Sequence, residues 1–189
     1  MSCMTDDISE IFFSAEQLEE ITSRLGKQIS EDYKDKNLLL VSVLKGSIMF
    51  MSDLMKHITI PCQIDFLAAE SYGSNTKTSG QVKITKDISG DIRGCDILLV
   101  EDILDSGNTL KKLTEFLKIK EPASISICTM LDKPSRRTVD IEARYIGAEV
   151  QDQFVVGYGL DFAQKYRNLP FIGILKPEAV ERIKSEISK

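Results

Sequence analysis

Glu101 and Asp102 close the apolar run Ile97, Leu98, Leu99, Val100, and the polar stretch Asp105, Ser106, Gly107, Asn108, Thr109 follows two residues later. Ionised carboxylates at the end of a buried strand lose much of their hydration unless a metal, a hydroxyl or a cation compensates, so the pair marks a place where a ligand sits. The polar stretch offers a small glycine, two hydroxyls and free backbone N–H groups directly before the helix-period set Leu110, Leu113, Phe116, Leu117. A helix start of that kind favours a phosphate. Carboxylates able to take cis-hydroxyls or a magnesium ion, beside a phosphate cradle, describe a phosphorylated ribose. A turn with helix-capping Asp and Ser accounts for Asp105 or Ser106 but leaves Glu101 and Asp102 unexplained.

A second candidate is Leu44-Lys45-Gly46-Ser47, where an apolar run ends and a helix pattern begins. Its amides and the Lys45 ammonium suit an anion such as a diphosphate. Alone it reads equally well as a turn with a solvated charge. The glycine spacing of a nucleotide-triphosphate loop is missing. His57 falls at a helix C-terminus, where the dipole favours it without any catalytic role.

The elements that position these residues follow from periodicity. Ser14 and Gln17 have the spacing of a capping box, and Leu18, Ile21, Leu25 and Ile29 continue at helical period, so the first 35 residues supply an amphipathic helix. Strands are expected over 38–44, 64–69, 82–85, 97–103, 124–131, 154–158 and 171–175, helices over 47–57 and 109–119, and Pro177 opens a last helix. The Ser-, Thr-, Gly- and Asn-rich segment 71–81 reads as a mobile surface loop. Strands alternating with helices predict an α/β fold, a mostly parallel central sheet flanked by helices, with ligands at the carboxyl ends of its strands. The 189 residues fit a single domain, 1–189, with a small hood.

Hydrophobic content of 42% against 28% charged residues is ordinary for a globular chain, and no run approaches the length of a membrane span. The N-terminal stretch lacks the basic flank and apolar core of a secretory signal, which predicts a cytoplasmic protein. Cys3, Cys62, Cys95 and Cys128 are widely spaced and there is one histidine, so neither a zinc site nor a redox motif is expected. A net charge of −5 argues against broad nucleic-acid binding while allowing an anionic small molecule held by local Lys and Arg.

The stretch Val100-Glu101-Asp102-Ile103-Leu104-Asp105-Ser106-Gly107-Asn108-Thr109 closely resembles the ribosyl-phosphate-binding signature of the type I phosphoribosyltransferases. Leu131-Asp132-Lys133-Pro134-Ser135-Arg136-Arg137, the stretch from Phe154 to Asp161, and Tyr166-Arg167-Asn168-Leu169-Pro170 are similar, in the same order, to the 6-oxopurine branch of that family. The resemblance covers 38–176.

It implies transfer of the 5-phosphoribosyl group from phosphoribosyl pyrophosphate to N9 of hypoxanthine and guanine, with Mg2+ as cofactor. It further implies that Glu101 and Asp102 serve the ribose and, with Asp161, the metal. Asp105, Ser106, Gly107, Asn108 and Thr109 would hold the 5′-phosphate, and Lys45, Gly46 and Arg167 the pyrophosphate, with a cis peptide ahead of Lys45. Ser71 and Tyr72 would open a lid that excludes water. Lys133, as a donor to an exocyclic oxygen that adenine lacks, Phe154, as a stacking face, and Val155 would receive the purine. Asp105 would accept or share a proton at N7. A hood formed from N-terminal and C-terminal segments and a homodimer or homotetramer complete the expectation.

Two departures stand out: Asn108 lies where relatives often carry Lys or another residue, and Val150-Gln151 where many have Ile-Pro. The rivals are an RNA-binding regulator of the same fold, which the acidity opposes, and an enzyme preferring xanthine and guanine, or a pyrimidine.

Overall fold

The computed structural model describes residues 4–71 and 82–187. After a short 3-10 turn, Met4–Asp7, the chain forms β1 (Ile8–Phe13) and α1 (Ala15–Asp32). The capping box is present: Ser14 N–H donates to Gln17 Oε1 at 2.8 Å and Gln17 N–H to Ser14 Oγ at 3.3 Å. Then come β2 (Leu38–Leu44), α2 (Ile48–Lys56), β3 (Gln63–Ser71), β4 (Val82–Lys86), β5 (Asp96–Leu104), α3 (Asn108–Lys118) and β6 (Ser124–Asp132). The chain finishes with β7 (Tyr145–Glu149), β8 (Val155–Val156), β9 (Ile172–Leu175) and α4 (Pro177–Ile187).

Six strands form the main sheet in the order β4-β3-β2-β5-β6-β7, all neighbours parallel except β3 and β4. Its central strands β2 and β5 carry the continuous apolar runs 38–41 and 97–100 because both faces are covered, and the two-residue period of a strand sorts them. Leu38, Leu40, Leu98 and Val100 join Leu18, Leu25, Ile29, Phe50 and Leu54 of α1 and α2 on one face. Leu39, Val41, Val43, Ile97 and Leu99 join Leu110, Leu113 and Leu117 of α3 on the other. Each such side chain contributes about 1.5–3 kcal/mol by leaving water. The register aligns Leu44 with Ala68 and Leu104 with Asp132, so the carboxyl ends of β2, β5 and β6 open on the same edge.

Three points differ from the expectation. The first 35 residues supply not only a helix but also β1, which pairs antiparallel with β9 across two register shifts; its Ile-Ser-Glu-Ile-Phe-Phe sequence has no clean alternation to reveal it. β7 was not foreseen, being a short, half-covered strand at the sheet edge. The strand expected over 154–158 shrinks to Val155–Val156, because Gly157, Tyr158 and Gly159 turn left-handed, with φ of 97°, 51° and 98°. β1, β9 and β8 form a second, antiparallel sheet from opposite ends of the chain, and Ile183 of α4 packs with Val156, Tyr166, Leu169 and Leu175 beneath it.

Candidate active site

Glu101 and Asp102 lie at the carboxyl end of β5. Among the described residues the Glu101 Oε2 atom is sealed from solvent and has no hydrogen-bond partner. Burial, and then the neighbouring Asp102 charge, push the Glu101 carboxyl well above the usual range. Burial likewise lifts Asp102 to about 6, opposed by the Ile103 backbone N–H, which donates to Asp102 Oδ1 at 2.8 Å, and by the Arg167 charge. An orphaned buried oxygen next to a second hard carboxylate suits a cation such as Mg2+. Among the described residues no three His, Cys, Asp or Glu side chains form a ready cage. Two carboxylates with the remaining positions filled by water and ligand oxygens is a common way to hold Mg2+.

The loop between β2 and α2 reaches this pair. The Leu44–Lys45 peptide is cis, as the resemblance implied. Ser47 fastens the loop from below, donating to the Val43 carbonyl at 2.6 Å and lying 2.7 Å from Ser42 Oγ. Gly46 sits so close to Asp102 that an added Cβ would fall 1.6 Å from Asp102 Oδ2, and a Cβ on Gly159 would fall 1.8 Å from the Gly46 carbonyl oxygen. Only glycine permits either approach. Lys45 is exposed at the mouth of this junction.

The segment after β8 supplies the other wall. Arg167 donates to the Gly159 carbonyl at 2.7 Å and pairs with Asp161 at 2.5 Å, while Asp161 Oδ2 accepts from the Gln164 N–H at 2.8 Å. Tyr158, Ala163, Gln164 and Tyr166 all adopt positive φ here, between 51° and 74°. Such conformations cost about 1–2 kcal/mol each and persist where surrounding contacts fix them. Tyr158 is fixed by its hydroxyl, which donates to Asp53 on α2 at 2.7 Å. Asp161 is therefore engaged by Arg167 and a backbone amide, and its charge is felt at Asp102.

The loop from β5 to α3 holds the expected phosphate residues. Gly107 precedes α3 with φ of 82°, and a Cβ there would meet Ile141 at 2.5 Å. Asn108 Nδ2 donates to Ser106 Oγ at 3.2 Å and to Thr138 Oγ1 at 2.9 Å, and Thr138 N–H donates to the Ser106 carbonyl at 3.1 Å. Asn108 thus braces the loop where a lysine would have added charge. Arg137 clamps the loop from behind, donating to the carbonyls of Leu104 and Asp105 and to the buried Asp132. Asp105 faces outward, with Arg136 Nε 3.1 Å from its Oδ1; the same guanidinium reaches Asp152 at 3.0 Å.

Beside Asp152, the buried Lys133 donates to the Gln153 carbonyl at 2.6 Å. Phe154 is 55% exposed and meets Phe162 edge-on, with centroids 5.3 Å apart, so one ring face is open for stacking. Val155 is buried against β9 and pairs with Ile174. Of the expected lid, Tyr72 lies outside the described residues, and Ser71 is described only as the backbone end of β3. Arg136, Arg137, Thr138 and Asp152 were assigned no role from the sequence; the paired arginines just beyond a strand end were the available signal.

Residues 10–163 match the phosphoribosyl transferase domain. The chain is 49% identical over 175 residues to a hypoxanthine-guanine phosphoribosyltransferase of Staphylococcus aureus (strain Mu50), covering 93% of this chain and 98% of that protein. It is 50% identical over 166 residues to the hypoxanthine phosphoribosyltransferase of Salmonella typhimurium, covering 87% and 93%. A crystal structure of a hypoxanthine phosphoribosyltransferase from Staphylococcus aureus superimposes with a TM-score of 0.91 at 48% identity, over 94% of this chain and 97% of that one. With its strand-end carboxylates, glycine junction and phosphate loop matched across nearly its whole length, this chain belongs to the phosphoribosyltransferases, on the hypoxanthine-guanine branch of that family.

Proposed function

We propose that the protein transfers the 5-phosphoribosyl group of phosphoribosyl pyrophosphate to N9 of hypoxanthine and guanine, a purine salvage reaction that releases inosine or guanosine monophosphate and pyrophosphate. The observation that carries this is the junction of the buried Glu101 and Asp102 carboxylates, with Glu101 Oε2 lacking a partner among the described residues, with Gly46, Gly159 and Arg167. Backbone amides from Ser106 to Thr109 hold the 5′-phosphate at the start of α3. Glu101 and Asp102 accept from the ribose hydroxyls, and Lys45, the Gly46 amide and Arg167 receive the diphosphate. Glu101 and Asp102, with Asp161 beside them, would hold Mg2+, which would supply charge neutralisation for the anionic substrate.

As the bond from the anomeric carbon to the diphosphate breaks, the leaving oxygen keeps the electron pair and the ring becomes cationic. Lys45 and Arg167 stabilise the departing charge, and N9 attacks the carbon. Asp105 accepts or shares the proton at N7, which makes N9 the better nucleophile. Lys133 donates to the 6-oxygen, Phe154 stacks on the ring and Val155 lines the pocket, so adenine, without that oxygen, is a poor substrate.

In this reading the chain is one domain, 1–189, and the β1-β9-β8 sheet serves as its hood. It acts in the cytoplasm, in keeping with the free thiols of Cys62, Cys95 and Cys128. Exposed Ile48, Met55 and Ile64 offer apolar surface for a homodimer or homotetramer. Among the described residues no helix is long and apolar enough to cross a membrane.

The test is absorbance-monitored turnover with phosphoribosyl pyrophosphate and Mg2+, comparing hypoxanthine, guanine, xanthine, adenine and uracil, each with and without the metal. Metal-dependent formation of inosine monophosphate is expected. Turnover of uracil alone sinks the reading, and phosphoribosyl pyrophosphate binding without turnover of any base transfers the site to a regulator. Asp105→Asn is expected to lower kcat about 100-fold or more while leaving the KM for phosphoribosyl pyrophosphate nearly unchanged; equal losses in both count against the proton role.

A further inference from the structure

The Arg167 loop is held from a direction that the reaction does not require. Tyr166, immediately before Arg167, is buried and left-handed, with φ of 74°. Its hydroxyl donates to Asp7 Oδ2 at 2.7 Å, and Arg182 of α4 donates to the same oxygen at 2.7 Å. Asp7 is itself buried and sits in the 3-10 turn that opens the described chain, 159 positions from Tyr166. Its backbone is pinned as well, because the Lys176 N–H donates to the Asp7 carbonyl at 2.8 Å.

A cavity of about 520 Å³ adjoins this contact, lined by Asp7, Tyr166, Arg167 and Arg182 among others. A Tyr166 released from Asp7 therefore has room to move. On the opposite flank the loop is tied to Gly159 through Arg167, whose guanidinium donates to the Gly159 carbonyl and whose own carbonyl accepts from the Gly159 N–H at 2.9 Å, and to Tyr158, whose N–H donates to the Leu169 carbonyl at 2.8 Å.

We infer that Asp7, acting through the Tyr166 hydroxyl, is a positioning residue for Arg167, so that the two ends of the chain together set the affinity for the diphosphate group. The inference rests on the assignment of Arg167 to the pyrophosphate in the proposed function. A left-handed tyrosine needs contacts that over-determine it, and the buried hydrogen bond to a charged acceptor provides them. Asp7, Tyr166 and Arg182 are not among the residues assigned to the base, so loss of the contact is expected to act on one substrate and spare the other.

Steady-state kinetics on the full chain test this with Asp7→Asn, Tyr166→Phe and Arg167→Gln. Asp7→Asn keeps the size and removes the charge, and Tyr166→Phe keeps the ring and removes the hydroxyl. Both are expected to raise the KM for phosphoribosyl pyrophosphate about tenfold and to weaken product inhibition by pyrophosphate equally, with kcat per folded protein and the KM for hypoxanthine within about twofold. Arg167→Gln is expected to raise the KM for phosphoribosyl pyrophosphate further and, because Arg167 also stabilises the departing charge, to lower kcat, with the KM for hypoxanthine spared. If Arg167→Gln raises that KM and the other two do not, the positioning role is overturned while the diphosphate assignment stands. If Arg167→Gln leaves it unchanged, the assignment fails and the inference with it. Variants that only melt earlier, with both KM values preserved, assign Asp7 a structural role and overturn the inference.

Discussion

Asp102 is placed where its charge serves a ligand and burdens the free protein. Its carboxyl is lifted from an ordinary 3.8 to about 6, mainly by burial, so the folded state holds a proton that the unfolded state has already released. A group raised in this way contributes its full stability below the unfolded value and loses it as pH climbs through the folded one. Asp102→Asn, which mimics the protonated form, should therefore melt at nearly the wild-type temperature near pH 4 and be more stable by about 2 kcal/mol above pH 6, while losing turnover. Glu101 is shifted in the same direction partly by the Asp102 charge, so the substitution relieves it too. Thermal melts of the metal-free protein across that range decide it; a variant less stable at neutral pH would show that the charge stabilises the fold. Glu101 and Asp102 were legible in the sequence because two carboxylates ending an apolar run have no structural use. The hydrogen bonds from Arg136 to Asp105 and from Tyr166 to Asp7 were not, since their partners lie 31 and 159 positions apart and no local pattern joins them.

Elements with a strong internal period were readable to within a residue or two. β2 begins and ends where its apolar run does, and α1 starts at its capping box. β1 and β7 owe their existence to distant partners, β9 and β6, rather than to their own alternation, and β8 is stopped by backbone conformation. The turn into α3 belongs to this scale, because its function depends on how strand, turn and helix meet. Gly107 both adopts a left-handed φ of 82° and lies against the 137–141 segment, where a Cβ would press on Ile141, Val139 and Arg137. Gly107→Ala should thus destabilise the protein by about 1–3 kcal/mol and raise the KM for phosphoribosyl pyrophosphate several-fold, while the KM for hypoxanthine changes little. Denaturant unfolding and initial-rate kinetics on one preparation measure both; unchanged affinity for phosphoribosyl pyrophosphate would remove the 5′-phosphate from this turn.

Across the whole molecule the site is a seam between two sheets. Glu101, Asp102, Gly46 and the phosphate loop belong to the six-stranded sheet, whereas Gly159, Asp161 and Arg167 follow β8 of the three-stranded one. In the free protein this seam sets the buried Asp102 within reach of the Arg167 charge and of the opposing Asp161 charge, in a chain that already carries a net charge of −5. An anionic ligand alone meets that negative field unfavourably, and a divalent cation reverses the sign of the interaction. Phosphoribosyl pyrophosphate together with Mg2+ should consequently cross-brace the two sheets and stabilise the whole fold. At about 100 times the dissociation constant the gain is about 2.7 kcal/mol, which for a chain of this length raises Tm by about 5–10 °C. With a chelator present, the same concentration of phosphoribosyl pyrophosphate should raise Tm by much less. Asp105→Asn should keep the full shift, because Asp105 faces Arg136 and the base side rather than the seam. An equal shift with and without the metal would mean that Glu101 and Asp102 meet the ribose hydroxyls unaided.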